Sequence, residues 1–379
     1  MHNLIEDCCI TFNDLVAARF DSIHLDFWTA FTVPAGKRSG YNNMIGNISD
    51  LTEPKTKLPR RWLNLPLPLF YTRDSGVALP TAALPYNDMR IQFKFRHWEK
   101  LLVMYDCNTT VSNACGQNYN PRRVENGVLL KDPSIAGSDC QVWANYAIVS
   151  NDERKRMACA PRDILIEQVQ ITGGQTFEQG SAKTHSKTGQ SYDVRFSHAI
   201  KVLFFGVRNC TIASEWSNYT ASTPLLVTNI ACDAGSSDGS EDVVDFDGKW
   251  MVDPIARTSL VYENTTRLAS MGSDYYSLVQ PYYHAPSIPL ESGYHMYSYS
   301  LDFICLDPMG STNFGKLTNV SLVVDASEVF ADPPYDNAHT GKDPVQPTYQ
   351  DKQRFQFLCT AVNNNIVRIS GGALGFPVL

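Results

Sequence analysis

The sequence is poor in the features that usually announce chemistry. It contains no G-x-S-x-G, no H-E-x-x-H and no P-loop, which sets aside the hydrolase, zinc-protease and nucleotide-binding readings tied to those spacings. Its ten cysteines never form a C-x-x-C pair, so zinc-ribbon and thioredoxin-like sites are excluded as well. No Lys/Arg run of useful length occurs, and the formal net charge is -7. Holding a phosphate backbone requires a basic surface, so direct nucleic-acid binding is not expected. No stretch approaches the roughly 18 apolar residues of a membrane-spanning helix. The opening MHNLIEDCCITFND has no positive region, and Glu6 and Asp7 interrupt its apolar run; it does not read as a secretory signal. Synthesis in the cytosol is expected, with the cysteines serving as small buried hydrophobes rather than in disulfides.

What is present is aromatic and alternating. Tyr and Phe number 18 each, and such residues favour strands and interfaces. In MRIQFKFR, Met89, Ile91, Phe93 and Phe95 share one face, and Arg90, Gln92, Lys94 and Arg96 the other. That is a strand with one wet face. HMYSYSLDF (His295 to Phe303) repeats the pattern, and IKVLFFGV (Ile200 to Val207) reads as a strand buried on both faces. Val142 to Val149, Ile164 to Ile171, Val320 to Val324, Arg354 to Val362 and Asn365 to Ile369 also read as strands. Helices are expected only over Ser22 to Phe31 and Tyr262 to Met271, with a turn or two at Asp152 to Ala158. Many strands without alternating long helices predict an all-β protein of sandwiches or barrels. The length of 379 residues favours two domains. Long polar loops are expected at Asp106 to Asp139, Gly173 to Ser191, Ala213 to Met251 and Ala331 to Asp351, gathered at one end as an outward crown.

One layout occurs twice. FNDLVAARFDSIHLDFWTAF, from Phe12, leads through LPLPLFYTRDSGVALP to the strand MRIQFKF and closes on QVWANYAIV. YENTTRLASMGSDYYSLVQPYY, from Tyr262, leads through HAPSIPLESGYH to MYSYSLDF and closes on RFQFLCTAV. This predicts two β-units of one topology. They divide at NDERKRMACAPRD, into residues 1–162 and 163–379. The second copy has about a hundred residues ahead of its Tyr262 segment, against about a dozen ahead of Phe12. The first unit is therefore expected to lack front strands at its N-terminus, Met1 to be an internal methionine, and the second unit to fold alone.

Several residue groups resemble sites and fall short. Asp245, Asp247 and Gly248 fit D-x-D-G, but Val243 and Pro254 stand where a calcium loop places ligands. Lys187-Thr188-Gly189 matches one serine β-lactamase element without the others. His198 lacks a partner at ligand spacing. Glu167 lacks a second carboxylate and reads as a carboxylate paired with an arginine. Tyr275-Tyr276 and Tyr282-Tyr283 suit core or subunit packing, or else stacking on a sugar. No catalytic, cofactor-binding or metal-binding residue is assigned, and no cofactor is expected.

LPLPLFYTRDSGVALPTAALPYNDMRI resembles the signature of the major capsid proteins of large nucleocytoplasmic DNA viruses. GKRSGYNNMIGNISDL, VRFSHAIKVLFF, LVYENTTRLASMGSDYYSLVQPYY, GSTNFGKLTN and AVNNNIVRISGGALGFPVL resemble its iridovirus versions. The resemblance implies a tandem double jelly roll of two eight-stranded sandwiches. It implies homotrimers of pseudo-hexagonal outline that tile a large icosahedral shell, beside neighbouring capsomers and minor capsid proteins. Contact with an internal viral membrane, assembly in the host cytoplasm and residence in the virion follow from the same resemblance. A carbohydrate-binding β-sandwich protein is the other reading open to the residues. The missing secretory signal and missing paired carboxylates weigh against it.

Overall fold

A computed structural model describes residues 1–52, 57–106, 120–123, 140–178, 190–210, 215–220, 253–326 and 354–377. Strands β1 (Ile5–Phe12) and β2 (Leu15–Asp21) form a hairpin turned at Asn13, whose φ is 53°. Asparagine tolerates that left-handed conformation better than most residues. β2 runs straight into helix α1 (Ser22–Thr32), where the Asp21 carboxylate accepts from the His24 backbone N–H and satisfies one of the helix's orphan donors. Helices α2 (Ala35–Ile45) and α3 (Ser49–Thr52) follow; the sequence reading did not anticipate them. The LPLPLFYTRDSGVALP run is extended, broken by short 3-10 turns at Phe70–Thr72, Ser75–Val77 and Thr81–Ala83. It delivers β3 (Met89–Phe95) to β1, giving the sheet order β2-β1-β3. β4 (Val103–Asp106) and β5 (Asn120–Arg123) pair with each other. Helix α4 (Asn151–Cys159), capped by Ser150, closes this unit.

The second unit carries β6 (Arg162–Ile171), β7 (Gln175–Glu178), β8 (Gln190–Asp193), β9 (Ala199–Asn209), β10 (Ile255–Tyr262) and β11 (Thr265–Gly272). A π-helical turn at Tyr275–Val279 then merges into α5 (Gln280–His284). β12 (His295–Ser298), β13 (Thr312–Asn313), β14 (Val320–Ala326), β15 (Arg354–Ser370) and β16 (Ala373–Gly375) complete it. One sheet has the order β11-β10-β14-β8. The other runs β12-β9-β15-β16, with β13 on β9 and both β6 and β7 on β15. Tyr192, Leu203, Phe205, Leu260, Leu322 and Phe357 pack between the two sheets as one core. Such a face-to-face antiparallel sandwich is the jelly-roll arrangement.

The repeat is real, and it is a hairpin followed by a helix. Phe12 pairs with Leu15 and Ile10 with Ala18; Tyr262 pairs with Thr265 and Leu260 with Leu268. The residue numbers differ by 250 throughout (262 less 12, 260 less 10). Even the register break recurs, between Ile10 and Thr11 and between Leu260 and Val261. The third strand of the motif also matches. The Asn13 N–H donates to the Asp88 carbonyl just ahead of β3, and the Glu263 N–H donates to the Asn319 carbonyl just ahead of β14.

The observed pairing corrects several expectations. The counterpart of MRIQFKF is β14, not MYSYSLDF, because β14 pairs with β10 as β3 pairs with β1. HMYSYSLDF (His295 to Phe303) keeps a ladder only over His295–Ser298, on β9. Tyr262 to Met271 is not a helix: Glu263 and Asn264 both have positive φ and turn the chain, so β10 supplies a ladder that outweighs weak local preference. Val142 to Val149 is not a strand, for among the described residues it has no pairing partner, and a strand exists only in a sheet. Arg354 to Val362 and Asn365 to Ile369 merge into the single strand β15.

β15 belongs to two cores. Phe355, Phe357 and Cys359 lie in the sandwich of the second unit. Val367 and Ile369, with Ile166 of β6 and Leu374 of β16, pack instead against Ile5, Cys8, Ile10 and Phe12 of the first. The chain between the units is helical at α4, and no sheet runs through it.

Candidate assembly surface

The seam between the two units is built first by α1. Its Leu25 faces the core of the first unit, while Phe27, Ala30 and Phe31 face Val202, Phe204, Met296 and Leu358 of the second. Phe31 stacks on Phe204 at 5.4 Å and 11°, and Phe27 meets Tyr219 and Tyr294 edge-on at 5.0 and 5.2 Å. Close approach here requires Gly206, because a Cβ on it would lie 2.9 Å from the Phe27 ring. Asp26, on the same helix, accepts from His2 Nδ1 at 2.6 Å and from the Tyr219 hydroxyl at 3.0 Å. Burial, then the neighbouring Asp26 charge, pushes the Tyr219 hydroxyl well up, so it stays a donor.

A buried ionic cluster pins the same seam. Glu167 of β6 accepts from Lys201 Nζ of β9 at 2.5 Å and from Arg73 of the LPLPLFYTRDSGVALP run. Arg73 also reaches the Ile304 carbonyl and covers the Trp28 ring at 5.1 Å; Lys201 donates to the Cys305 carbonyl at 2.7 Å. Burial first, and then the Arg73 guanidinium, push the Lys201 ammonium down, against smaller pulls from Cys305 and Asp302. Further along, Trp216 takes Arg96 and Arg208 against its ring at 3.9 and 4.7 Å.

The residues weighed from sequence separate accordingly. Glu167 is a structural ion-pair carboxylate, with the expected arginine and a lysine besides. His198 sits at a turn with φ 64°, and its carbonyl accepts from the Phe314 N–H. Tyr276 is a core residue whose hydroxyl donates to the Thr258 carbonyl, whereas Tyr282 and Tyr283 are exposed. Asp245, Asp247, Gly248 and Lys187-Thr188-Gly189 lie outside the described residues, as do most of the four long loops. Cys8, Cys9 and Cys359 are buried, but Cys140 and Cys159 are exposed. Among the described residues no three His, Cys, Asp or Glu side chains group as a metal site. No helix there is long and apolar enough to cross a membrane. Sequence reading missed Arg73, Lys201 and Asp26. Lys201 carried a legible signal: a lysine inside the apolar run IKVLFFGV needs a buried partner.

Among the described residues, two groups of exposed apolar side chains stand out. Trp143, Tyr146 and Ile148 are 89%, 81% and 91% exposed. Around α5, Tyr282 and Tyr283 are 70% and 71% exposed, beside Leu278 and Val279. Contiguous exposed aromatic surface of this kind marks contact with other macromolecules. A site built of seams and open apolar faces, with its charges buried in ion pairs, is made for packing.

Two family models match the chain. One, described as large eukaryotic DNA virus major capsid protein, covers residues 153–375; the other, described as major capsid protein N-terminus, covers residues 1–149. The major capsid protein of Costelytra zealandica iridescent virus is 53% identical over 385 residues, spanning 100% of this chain and 77% of that protein. The chain belongs to the major capsid protein family of large eukaryotic DNA viruses. The major capsid protein of Lymphocystis disease virus 1 (isolate Darai) is 46% identical, over 100% of this chain and 76% of its own. Among solved structures, the PBCV-1 virus capsid quasi-atomic model aligns with a TM-score of 0.68 at 21% identity, over 100% of this chain and 84% of that one. The Faustovirus major capsid protein aligns at 0.54 and 13%, over 97% and 72%. The fold is the tandem double jelly roll of those capsid proteins. Membership of a family of structural capsid proteins decides against both an enzyme and a carbohydrate-binding protein.

Proposed function

We propose that three copies of this chain form a capsomer of pseudo-hexagonal outline, and that such capsomers tile the protein shell of a large icosahedral virion. The observation that carries this reading is the repeated hairpin and helix. Two equivalent rolls per chain supply six similar lobes from three chains, which is the geometry hexagonal tiling needs. In this reading the rolls divide at residues 162 and 163, just after α4 and at the start of β6. Neighbouring capsomers, minor capsid proteins and the face of an internal viral membrane are the further partners, with assembly in the host cytoplasm. The net charge of -7 supports a shell that encloses nucleic acid without binding it directly. No catalytic residue and no required metal belong to the mechanism: function here is shape and contact.

Mass photometry and two-dimensional class averages of the full-length gene product test the reading. A trimer with a six-lobed outline is expected; a stable monomer or dimer at micromolar concentration would overturn it.

A further inference from the structure

Helix α1 is a template for a contact its counterpart lacks. Phe27, Trp28 and Phe31 leave the first roll and pack on Phe204 and Phe303 of the second, with Leu358 and Val362 of β15 in the same cluster. In the repeat, the helical segment ending in α5 stands where α1 stands, directly after the second strand of the hairpin. Counted from Ser22 and Ser273, Phe27, Trp28 and Phe31 correspond to Leu278, Val279 and Tyr282. The π-helical turn adds a residue and brings Tyr283 to the last position too. All four carry the apolar chemistry that α1 buries. Yet Leu278 and Val279 are 48% and 42% exposed, and the two tyrosines more so.

We propose that α5 docks on the first roll of a second copy of this chain, as α1 docks on the second roll of its own, with Tyr282 and Tyr283 as anchors. The seat is the stretch 141–149. In the sequence layout QVWANYAIV takes the place of RFQFLCTAV, the part of β15 that holds Leu358 and Val362 against α1, and among the described residues it pairs with no strand of its own chain. Trp143, Tyr146 and Ile148 stand exposed on that stretch. The contact is heterologous, donor helix to an extended acceptor stretch, and such a contact generates a ring when its rotation closes. It alternates with the α1 seam around six rolls and closes after three chains. The proposal rests on the trimer reading and specifies which surfaces make the trimer.

The test uses the full-length gene product, unmodified and as the double variant Tyr282→Ser, Tyr283→Ser. Both side chains are exposed, so the monomer's melting temperature should hold. Trimer association should weaken by about 30-fold for each anchor lost, read by mass photometry on dilution. A photo-crosslinking phenylalanine analogue at position 282 should join peptides containing residues 141–149 of another copy. If the unmodified protein is a trimer and the variant dissociates no more readily, the docking proposal fails while the trimer reading stands. Crosslinks from position 282 to another α5, or only to the second roll, would also overturn it. If the unmodified protein is not a trimer, the trimer reading fails first and the docking falls with it.

Discussion

Glu167 holds two cations out of water at once, and its loss should be felt accordingly. Glu167→Gln leaves Lys201 and Arg73 buried without a counter-charge. Breaking a buried pair in this way costs about 3–5 kcal/mol, and the urea midpoint at neutral pH should fall by that equivalent. A shift below about 1 kcal/mol would mean water reaches the cluster. His24 sets a second expectation. Complete burial lowers its pKa from 6.5 to about 3. The unfolded chain therefore takes up a proton near pH 6.5 that the folded chain refuses. Stability should fall as pH drops from about 6.5 toward 3, by about 1.4 kcal/mol per unit from this residue alone. His24→Met should flatten that slope in a series of denaturation curves. The arginine partner of Glu167 was legible in kind, though not that it is Arg73 or that Lys201 joins it; the role of His24 was not legible. His24 sits in a helix the sequence does reveal, but its burial depends on Phe204, 180 positions along the chain (204 less 24).

At the scale of elements, α1 is the wedge whose removal separates the rolls. Phe31→Ala would open a cavity between α1 and β9 and should cost about 3–5 kcal/mol, visible as a lower melting temperature. Gly206→Ala should act from the other side, since its new Cβ would crowd both Phe27 and the Gly293 carbonyl at 2.8 Å; overpacking of this kind costs about 1–3 kcal/mol. Strands with a strong local pattern were readable in advance: β3 by its period of two, and β9, β14 and the first part of β15 by their apolar runs. Ser22 to Phe31 was readable as a helix because its apolar residues recur on one side. The hairpin at Tyr262 to Met271 was not, because Leu268 and Met271 suit a helix as well as a strand and only pairing with β10 decides. Val142 to Val149 failed for the complementary reason: its residues favour a strand, but a ladder partner is a property of the sheet and not of the segment.

The whole molecule is two units by repetition and less than two by packing. Ile166, Val367, Ile369 and Leu374 belong to the second unit by position but fill the core of the first. Excising residues 163–379 would bare all four. Each is worth roughly 1.5–3 kcal/mol when buried, against a net domain stability of about 5–15 kcal/mol. The isolated second unit should therefore aggregate, or bind a hydrophobic dye, and fail to give a sharp calorimetric transition. That revises the sequence-based expectation that it folds alone. A soluble fragment melting within a few degrees of the whole chain would restore it. The repeat itself was legible, down to Phe12 and Tyr262 as matching positions, because hairpin turns and the strands beside them leave local marks. The sharing of a core was not, since β15 continues without a break in pattern from one unit's interior to the other's.

The continuity of β15 also has a mechanical meaning. At about 3.3 Å per residue, its 17 residues make a rod about 55 Å long, clamped at one end between β9 and β7 and at the other between β6 and β16. Shear between the rolls has to load many backbone hydrogen bonds of this rod together, instead of opening a flexible joint. A tile built this way passes strain through its own body to its neighbours. It should fail at its edges before it bends in the middle.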